Sequence, residues 1–198
     1  MSFWKNLGRI AAVAVLGATL AGCGVNQIPK QDEEVKAAWA EVQNQYQRRA
    51  DLVPNLVATV KGYAKQESSV LTAVTEARAK ATQTVLPEKI ATDPEAFKQY
   101  EQSQARLSGA LGRLLAVSEN YPELKSNQNF IALQAQLEGT ENRITVARRD
   151  YIGKVQEFNT TLRTIPTRWT ASWFYPELKP YPAFTTTEKN QNAPSVQF

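Results

Sequence analysis

The sequence contains no histidine, and its only cysteine and methionine are Cys23 and Met1. Hydrolases with Ser-His-Asp triads or Cys-His dyads use an imidazole as the general base, and most zinc sites use His or Cys ligands. These classes of enzyme and metal site are therefore excluded. Carboxylate pairs, a Ser-Lys arrangement and an all-oxygen cation site remain possible.

A strong excess of one charge is also missing. The chain carries 23 Lys and Arg residues against 19 Asp and Glu. Lys5 and Arg9 lie in a segment that we expect to be removed, which leaves 21 basic residues in the mature chain. A balance so close to neutral is not typical of nucleic-acid-binding proteins. We therefore predict no nucleic-acid partner.

The N-terminus has the pattern of a bacterial lipoprotein signal. Lys5 and Arg9 give a positive start, and residues 10–20 form an uncharged apolar run that is too short to span a bilayer. The run ends in four residues that resemble the lipobox: Leu20, Ala21, Gly22 and Cys23. We predict that residues 1–22 are a cleaved signal peptide and that Cys23 carries the lipid. The alternative is a short anchor that is never cleaved.

A lipid on Cys23 would place the protein on the exported face of the cell envelope. In Gram-negative bacteria an Asp after the cysteine is the usual signal for retention in the inner membrane, and this chain has Gly24 there. We therefore expect the periplasmic leaflet of the outer membrane in a Gram-negative host, and the cell membrane otherwise.

Residues 32–166 are dominated by apolar residues at alternating spacings of three and four, which is typical of helices packed in a bundle or coiled coil. The first seam runs from Val35 to Tyr63 and contains one charged residue, Arg49. Further seams run from Phe97 to Tyr121 and from Phe130 to Leu162. We predict an all-α fold, an antiparallel four-helix bundle with long first and fourth helices.

Proline and capping residues suggest where these helices begin and end. The expected ranges are 31–66, 68–82, 94–121 and 126–164. Pro54 lies inside the first helix, but the seam keeps its register there, so we expect one helix kinked at 50–54. Outside the bundle we expect a lipidated tether, an irregular aromatic and proline-rich strap, and a disordered polar tail, at 23–31, 167–184 and 185–198.

Three stretches resemble the LemA family of envelope proteins: AAWAEVQNQYQRRADLVPNLVATVKGYAKQE (37–67), ARLSGALGRLLAVSENYPELKSNQNFIALQ (105–134) and LEGTENRITVARRDY (137–151). The resemblance implies an antiparallel four-helix bundle behind an N-terminal membrane anchor. Here a lipobox replaces the uncleaved anchor helix of many members, and Gln66-Glu67 stands where the family usually has His-Glu. The family has no established biochemical activity, so the resemblance implies no reaction.

Charged and polar residues gather near Pro54 and in the middle of the fourth helix: Arg48, Arg49, Asp51, Glu138, Glu141, Asn142, Arg143 and Arg148. They can be interpreted as a pocket for an anionic ligand, or as solvated helix faces with one internal ion pair. We favour the ion pair. Opposing the helix ends 31 and 164 places Arg49 opposite residue 146, with Glu141 about one turn away. Arg49 and Glu141 are therefore our candidate structural pair.

Five aromatic residues lie outside this polar group: Trp39, Trp169, Trp173, Phe174 and Tyr175. They are interpreted as core filling, with a carbohydrate- or peptide-binding patch or a contact with the membrane surface as alternatives. We predict no catalytic residue, no cofactor and no metal site.

The favoured function is a non-enzymatic scaffold or adaptor that is anchored in the membrane and binds other envelope proteins. The alternatives are a carboxylate-dependent envelope enzyme, such as a hydrolase acting on peptidoglycan, and a bundle that binds an anionic ligand. An adaptor is favoured because long bundles rarely leave a cleft of the few hundred cubic ångströms that a ligand site needs.

Overall fold

The computed structural model describes residues 26–83 and 92–184. The predicted signal peptide (1–22), the lipobox with Cys23, and the predicted polar tail (185–198) lie outside the described residues.

Within these two ranges the secondary structure is entirely helical and contains no strand. The helices are α1 (Gln27–Tyr63), α2 (Ser68–Thr82), α3 (Pro94–Ser118), α4 (Pro122–Lys125), α5 (Gln128–Thr161) and α6 (Thr167–Phe174). The all-α prediction is confirmed. The short helices α4 and α6 were not predicted, and α1 begins at Gln27 inside the expected tether.

The starts of α3 and α5 follow from their capping residues. Asp93 accepts hydrogen bonds from the backbone amides of Glu95 and Ala96, and Pro94 occupies the first turn, where its missing N–H costs nothing. At α5, Asn127 accepts from the amides of the second and third residues of the helix. Helix α3 therefore begins at the predicted residue, and α5 begins two residues after the predicted position 126.

Helices α1 and α5 run antiparallel along most of their length. Hydrogen bonds join Gln31 to Glu157, Lys154 to Glu34 and Arg143 to Gln45. The residue numbers of each pair add up to 188, whereas the predicted opposition of residues 31 and 164 gives 195. The register was wrong by about two turns because α1 begins four residues earlier, and α5 ends three residues earlier, than expected.

Helix α1 continues through Pro54, and α2 explains how. Proline has no N–H, so the carbonyl of Ala50, four residues earlier, loses its usual helical donor. Ala50 is buried, and a buried carbonyl without a donor is costly. Nε of Arg78 in α2 donates to this oxygen at 2.8 Å. Packing against α2 therefore provides the hydrogen bond that proline cannot.

The buried apolar side chains form two clusters. The terminal core uses residues from both ends of the chain: Ile28, Val35, Trp39, Val42, Tyr46, Phe97, Tyr100, Ile144, Ala147, Tyr151, Val155, Phe158, Ala171, Tyr181 and Phe184. The central core uses the middle of the chain: Val53, Leu56, Val60, Ala64, Leu71, Val74, Ala81, Leu107, Ala110, Leu111, Leu114, Leu124, Phe130 and Leu137. The predicted seams supply most members of both.

The two cores are closed on their outer sides by different elements. Helix α2 packs on α1 and α3 beside the central core. Beside the terminal core lies an irregular segment, residues 175–184, for which we keep the name strap. The expected irregular stretch at 167–174 is instead helix α6. Asn159 of α5 pairs with the backbone N–H and C=O of Tyr181, whose hydroxyl donates to Asp32 of α1. These bonds tie the strap to the two longest helices.

Each helix in the described ranges is too short or too polar to cross a membrane.

Candidate functional site

Arg49 is the centre of a polar layer between the two cores, made of Arg49, Gln104, Ser108 and Glu141. Only 1% of the surface of Arg49 is exposed. Nη1 donates to Oγ of Ser108 at 2.6 Å and to Oε1 of Glu141 at 2.9 Å. Nη2 donates to Oε1 of Gln104 at 2.7 Å and to its backbone oxygen at 3.2 Å. Nε has no partner among the described residues. The layer therefore joins α1, α3 and α5.

The structure thus brings the candidate ion pair, Arg49 and Glu141, together. The guanidinium is buried, whereas the side chain of Glu141 is 41% exposed. A buried cation without an anion is strongly destabilising, so Glu141 offsets the charge of Arg49 while its own carboxylate stays partly hydrated. Gln104 is held in turn because its Nε2 donates to the backbone oxygen of Ala81 in α2.

A second ion pair links α5 to α3. Nη2 of Arg148 donates to Oε1 of Glu101 at 3.2 Å. The guanidinium carbon of Arg148 also lies 4.1 Å from the ring centre of Phe184, the last residue of the strap. This is the geometry of a cation–π contact, so Arg148 connects α3, α5 and the strap.

Both ion pairs line a groove of about 690 Å³ between α3 and α5. Its charged lining residues are Arg49, Lys98, Glu101, Glu141 and Arg148. The expectation that the bundle leaves no cleft of ligand size is therefore wrong. The reason is that a thin strap, and not a full helix, closes this part of the bundle, and Pro182 and Ala183 of the strap form one wall.

Tyr46 also lines the groove, and its ring centre lies 5.0 Å from the guanidinium carbon of Arg49. Burial raises the pKa of the Tyr46 phenol above its usual range. The phenol therefore stays neutral at physiological pH and adds no charge to the groove.

The other polar residues of the predicted group do not converge on Arg49. Arg48, Asp51 and Glu138 are exposed, and Asp51 accepts a hydrogen bond from Gln47. Asn142 and Arg143 line a smaller hollow of about 320 Å³ on another face of α5. Within residues 26–83 and 92–184 there is no group of three or more Asp, Glu or Cys side chains close enough to hold a metal ion.

The five aromatic residues separate into two environments. Trp39 is buried in the terminal core, with four ring centres 5.2–6.2 Å away, those of Phe97, Tyr100, Tyr151 and Phe184. Tyr175 is half-buried against the same core. The remaining three, Trp169, Trp173 and Phe174, are exposed on α6.

Three groups of the site were not identified from the sequence as partners: Gln104, Ser108 and the pair of Glu101 with Arg148. Gln104 carried a signal, because it is a polar member of the apolar seam of α3, as Arg49 is in α1. Ser108 and Glu101 lie beside that seam, where polar residues are usual, so no pattern distinguishes them.

Comparison with known proteins identifies the family of this chain. A comparison with curated proteins finds no match. The model of the LemA family matches residues 38–198, which is most of the chain and includes every residue of the polar layer and of the groove. The protein therefore belongs to the LemA family.

Proposed function

We propose that this LemA-family protein is a lipid-anchored adaptor of the cell envelope, whose groove between α3 and α5 binds a segment of a partner protein. The observation that carries the proposal is the pairing of charges along the groove. Glu101 and Glu141 each accept a hydrogen bond from an arginine, Arg148 and Arg49 respectively. Both carboxylates therefore form ion pairs between helices, α1 with α5 and α5 with α3.

This pairing favours a protein segment over the alternative occupants. A carboxylate-dependent hydrolase needs one acid to donate a proton and another to act as a base or nucleophile, whereas both acids here are held by guanidinium groups. An anionic ligand would have to displace Glu141 from Arg49. Two exposed apolar residues, Ala105 and Ile152, also line the groove, which suits the apolar side chains of a peptide or helix.

The anchored part of the proposal is tested by mass spectrometry of the mature N-terminus. Because a short apolar run ends in Leu20-Ala21-Gly22-Cys23, we expect a lipid-modified peptide that begins at Cys23. A Cys23→Ser variant should remain unprocessed. Recovery of an intact Met1 terminus from the natural chain would contradict lipid anchoring.

The adaptor part is tested by placing a photocrosslinking amino acid at Ala105, which is exposed in the groove. We expect it to capture one defined envelope protein in living cells, identified by mass spectrometry. The matched control is Ala79, an exposed alanine on α2 outside the groove. Thr145→Trp should fill the groove and reduce the capture. Equal capture from both positions, or capture that Thr145→Trp leaves unchanged, would contradict the proposal.

A further inference from the structure

Helix α6 exposes an aromatic face that the polar layer and the groove do not use. Trp169, Trp173 and Phe174 have 59%, 82% and 61% of their surfaces exposed. Trp169 and Trp173 are four residues apart and so lie on the same side of the helix, whereas Ala171, about half a turn from both, is buried in the terminal core. Ala171 therefore sets the side of α6 that packs on the bundle, and the two indoles point away from it.

This aromatic face lies at the end of the bundle where the described part of the chain begins. The hydrogen bond from Gln31 to Glu157 places the start of α1 beside the end of α5. Helix α6 follows α5 after five residues, and Thr167 donates a hydrogen bond to the carbonyl of Thr161, the last residue of α5. Ile28 and Ala171 belong to the same core. Helix α6 therefore caps the end from which the N-terminal segment leaves.

The length of that segment limits how far this end can lie from a membrane. Three residues lie between Cys23 and Gln27, so the two are four residue-to-residue steps apart. Fully extended, these steps span at most about 14 Å. If Cys23 carries the lipid, as the proposed function requires, α6 is held close to the bilayer surface.

The charges around α6 are those that a phospholipid surface attracts. Between residues 162 and 184, Arg163, Arg168 and Lys179 are exposed against one acid, Glu177. The acids at the same end of α1 and α5 each lie within ion-pair distance of Lys36 or Lys154: Asp32, Glu33, Glu34 and Glu157. Tryptophan favours the boundary between hydrocarbon and headgroups, and exposed arginines near a membrane bind anionic headgroups. A protein partner would explain the aromatic residues, but it would not explain their place beside the anchored end.

We infer that α6 is a second membrane contact, whose indoles insert among the headgroups of an anionic phospholipid surface and hold the bundle in a fixed orientation to the bilayer. This inference rests on the proposed lipid anchor at Cys23. It adds a function to α6 that is independent of what the groove binds.

The test uses the full-length protein, purified from membranes and reconstituted into vesicles of phosphatidylethanolamine and phosphatidylglycerol with bromine-labelled acyl chains. We expect the bromine to quench part of the tryptophan fluorescence. Replacing both exposed residues, Trp169→Phe and Trp173→Phe, should remove that quenched part. Every other tryptophan is present in both chains, so the difference between them reports the indoles of α6. Because both indoles are exposed, the thermal unfolding temperature should not change.

The matched control adds Ile131→Trp to the double variant. Ile131 is also exposed, but it lies 30 residues before the end of α5, about 45 Å along the helix. We expect no quenching of a tryptophan there.

Two negative results are distinguishable. A chain that does not stay with the vesicles would contradict the lipid anchor. A chain that stays with the vesicles, but whose quenching is the same with and without Trp169 and Trp173, would overturn the inference, leave the anchor standing and make α6 a surface for a protein partner.

Discussion

Replacing Glu141 with leucine is expected to lower the free energy of unfolding by about 3 kcal/mol, because it leaves the Arg49 guanidinium buried without an anion. The loss is at the low end of the range for broken buried pairs because the Glu141 carboxylate is partly in water. Ser108 and Gln104 remain as neutral acceptors. Urea unfolding followed by circular dichroism measures the change.

A double-mutant cycle measures the interaction energy between Arg49 and Glu141 separately from the contacts that each makes with other residues. Arg49→Leu alone should cost about 2 kcal/mol, because Gln104 loses a buried hydrogen-bond partner while Glu141 turns to water. The chain with both Arg49→Leu and Glu141→Leu should be less destabilised than the sum of the two single variants, since no unpaired charge stays buried. Glu138→Leu, at an exposed position one turn earlier, is the control, with an expected effect below about 0.5 kcal/mol. Simple additivity would mean that Glu141 does not stabilise Arg49.

Removing the side chain of Arg78 should have the second largest effect. Arg78→Leu is expected to cost about 1–3 kcal/mol, because the buried carbonyl of Ala50 then has no donor. In a chain that also carries Pro54→Ala, the amide at position 54 can donate to this carbonyl as in a regular helix. Arg78→Leu should then cost less than about 0.5 kcal/mol, the usual effect of a surface substitution.

Urea unfolding measures the loss of stability caused by Arg78→Leu in the natural chain and in the chain with Pro54→Ala, and the two losses are compared. Arg113→Leu, at an exposed position on α3, controls for the general effect of replacing an arginine with leucine. If Arg78→Leu costs the same with and without Pro54, the hydrogen bond to Ala50 does not explain how α1 passes through the proline.

The sequence was sufficient to predict the four longest helices and the burial of their seams. A three-and-four spacing fixes which side of a helix is apolar, and Asp93 and Asn127 are strong capping residues, so α3 begins where expected and α5 begins within two residues of the expected start. Arg49 was recognisable because it is the one charged residue in an apolar seam. Gln104 could have been recognised on the same grounds.

Register, α6 and the groove could not be predicted in the same way. The register of α1 against α5 depends on the start of α1, which has no side-chain cap, and on the end of α5. Glu141 was identified as the partner of Arg49 although the predicted register of the two helices was wrong. Helix α6 has only eight residues, too few for a clear period. The shape of the groove depends on where the strap packs, and the strap has no periodic pattern from which its contacts could be predicted. The contact of Phe184 with Arg148 is an example.

The division of the core at Arg49 has a consequence for the order of folding. The central core joins residues 53–137, whereas the terminal core must bring Ile28 together with Phe184. Contacts between residues that are close in sequence form faster, since less chain entropy is lost in closing the shorter loop. The central half is therefore the natural nucleus. The other half can assemble only after the chain has been synthesised as far as Phe184, so the bundle is completed late, when nearly the whole chain has been made.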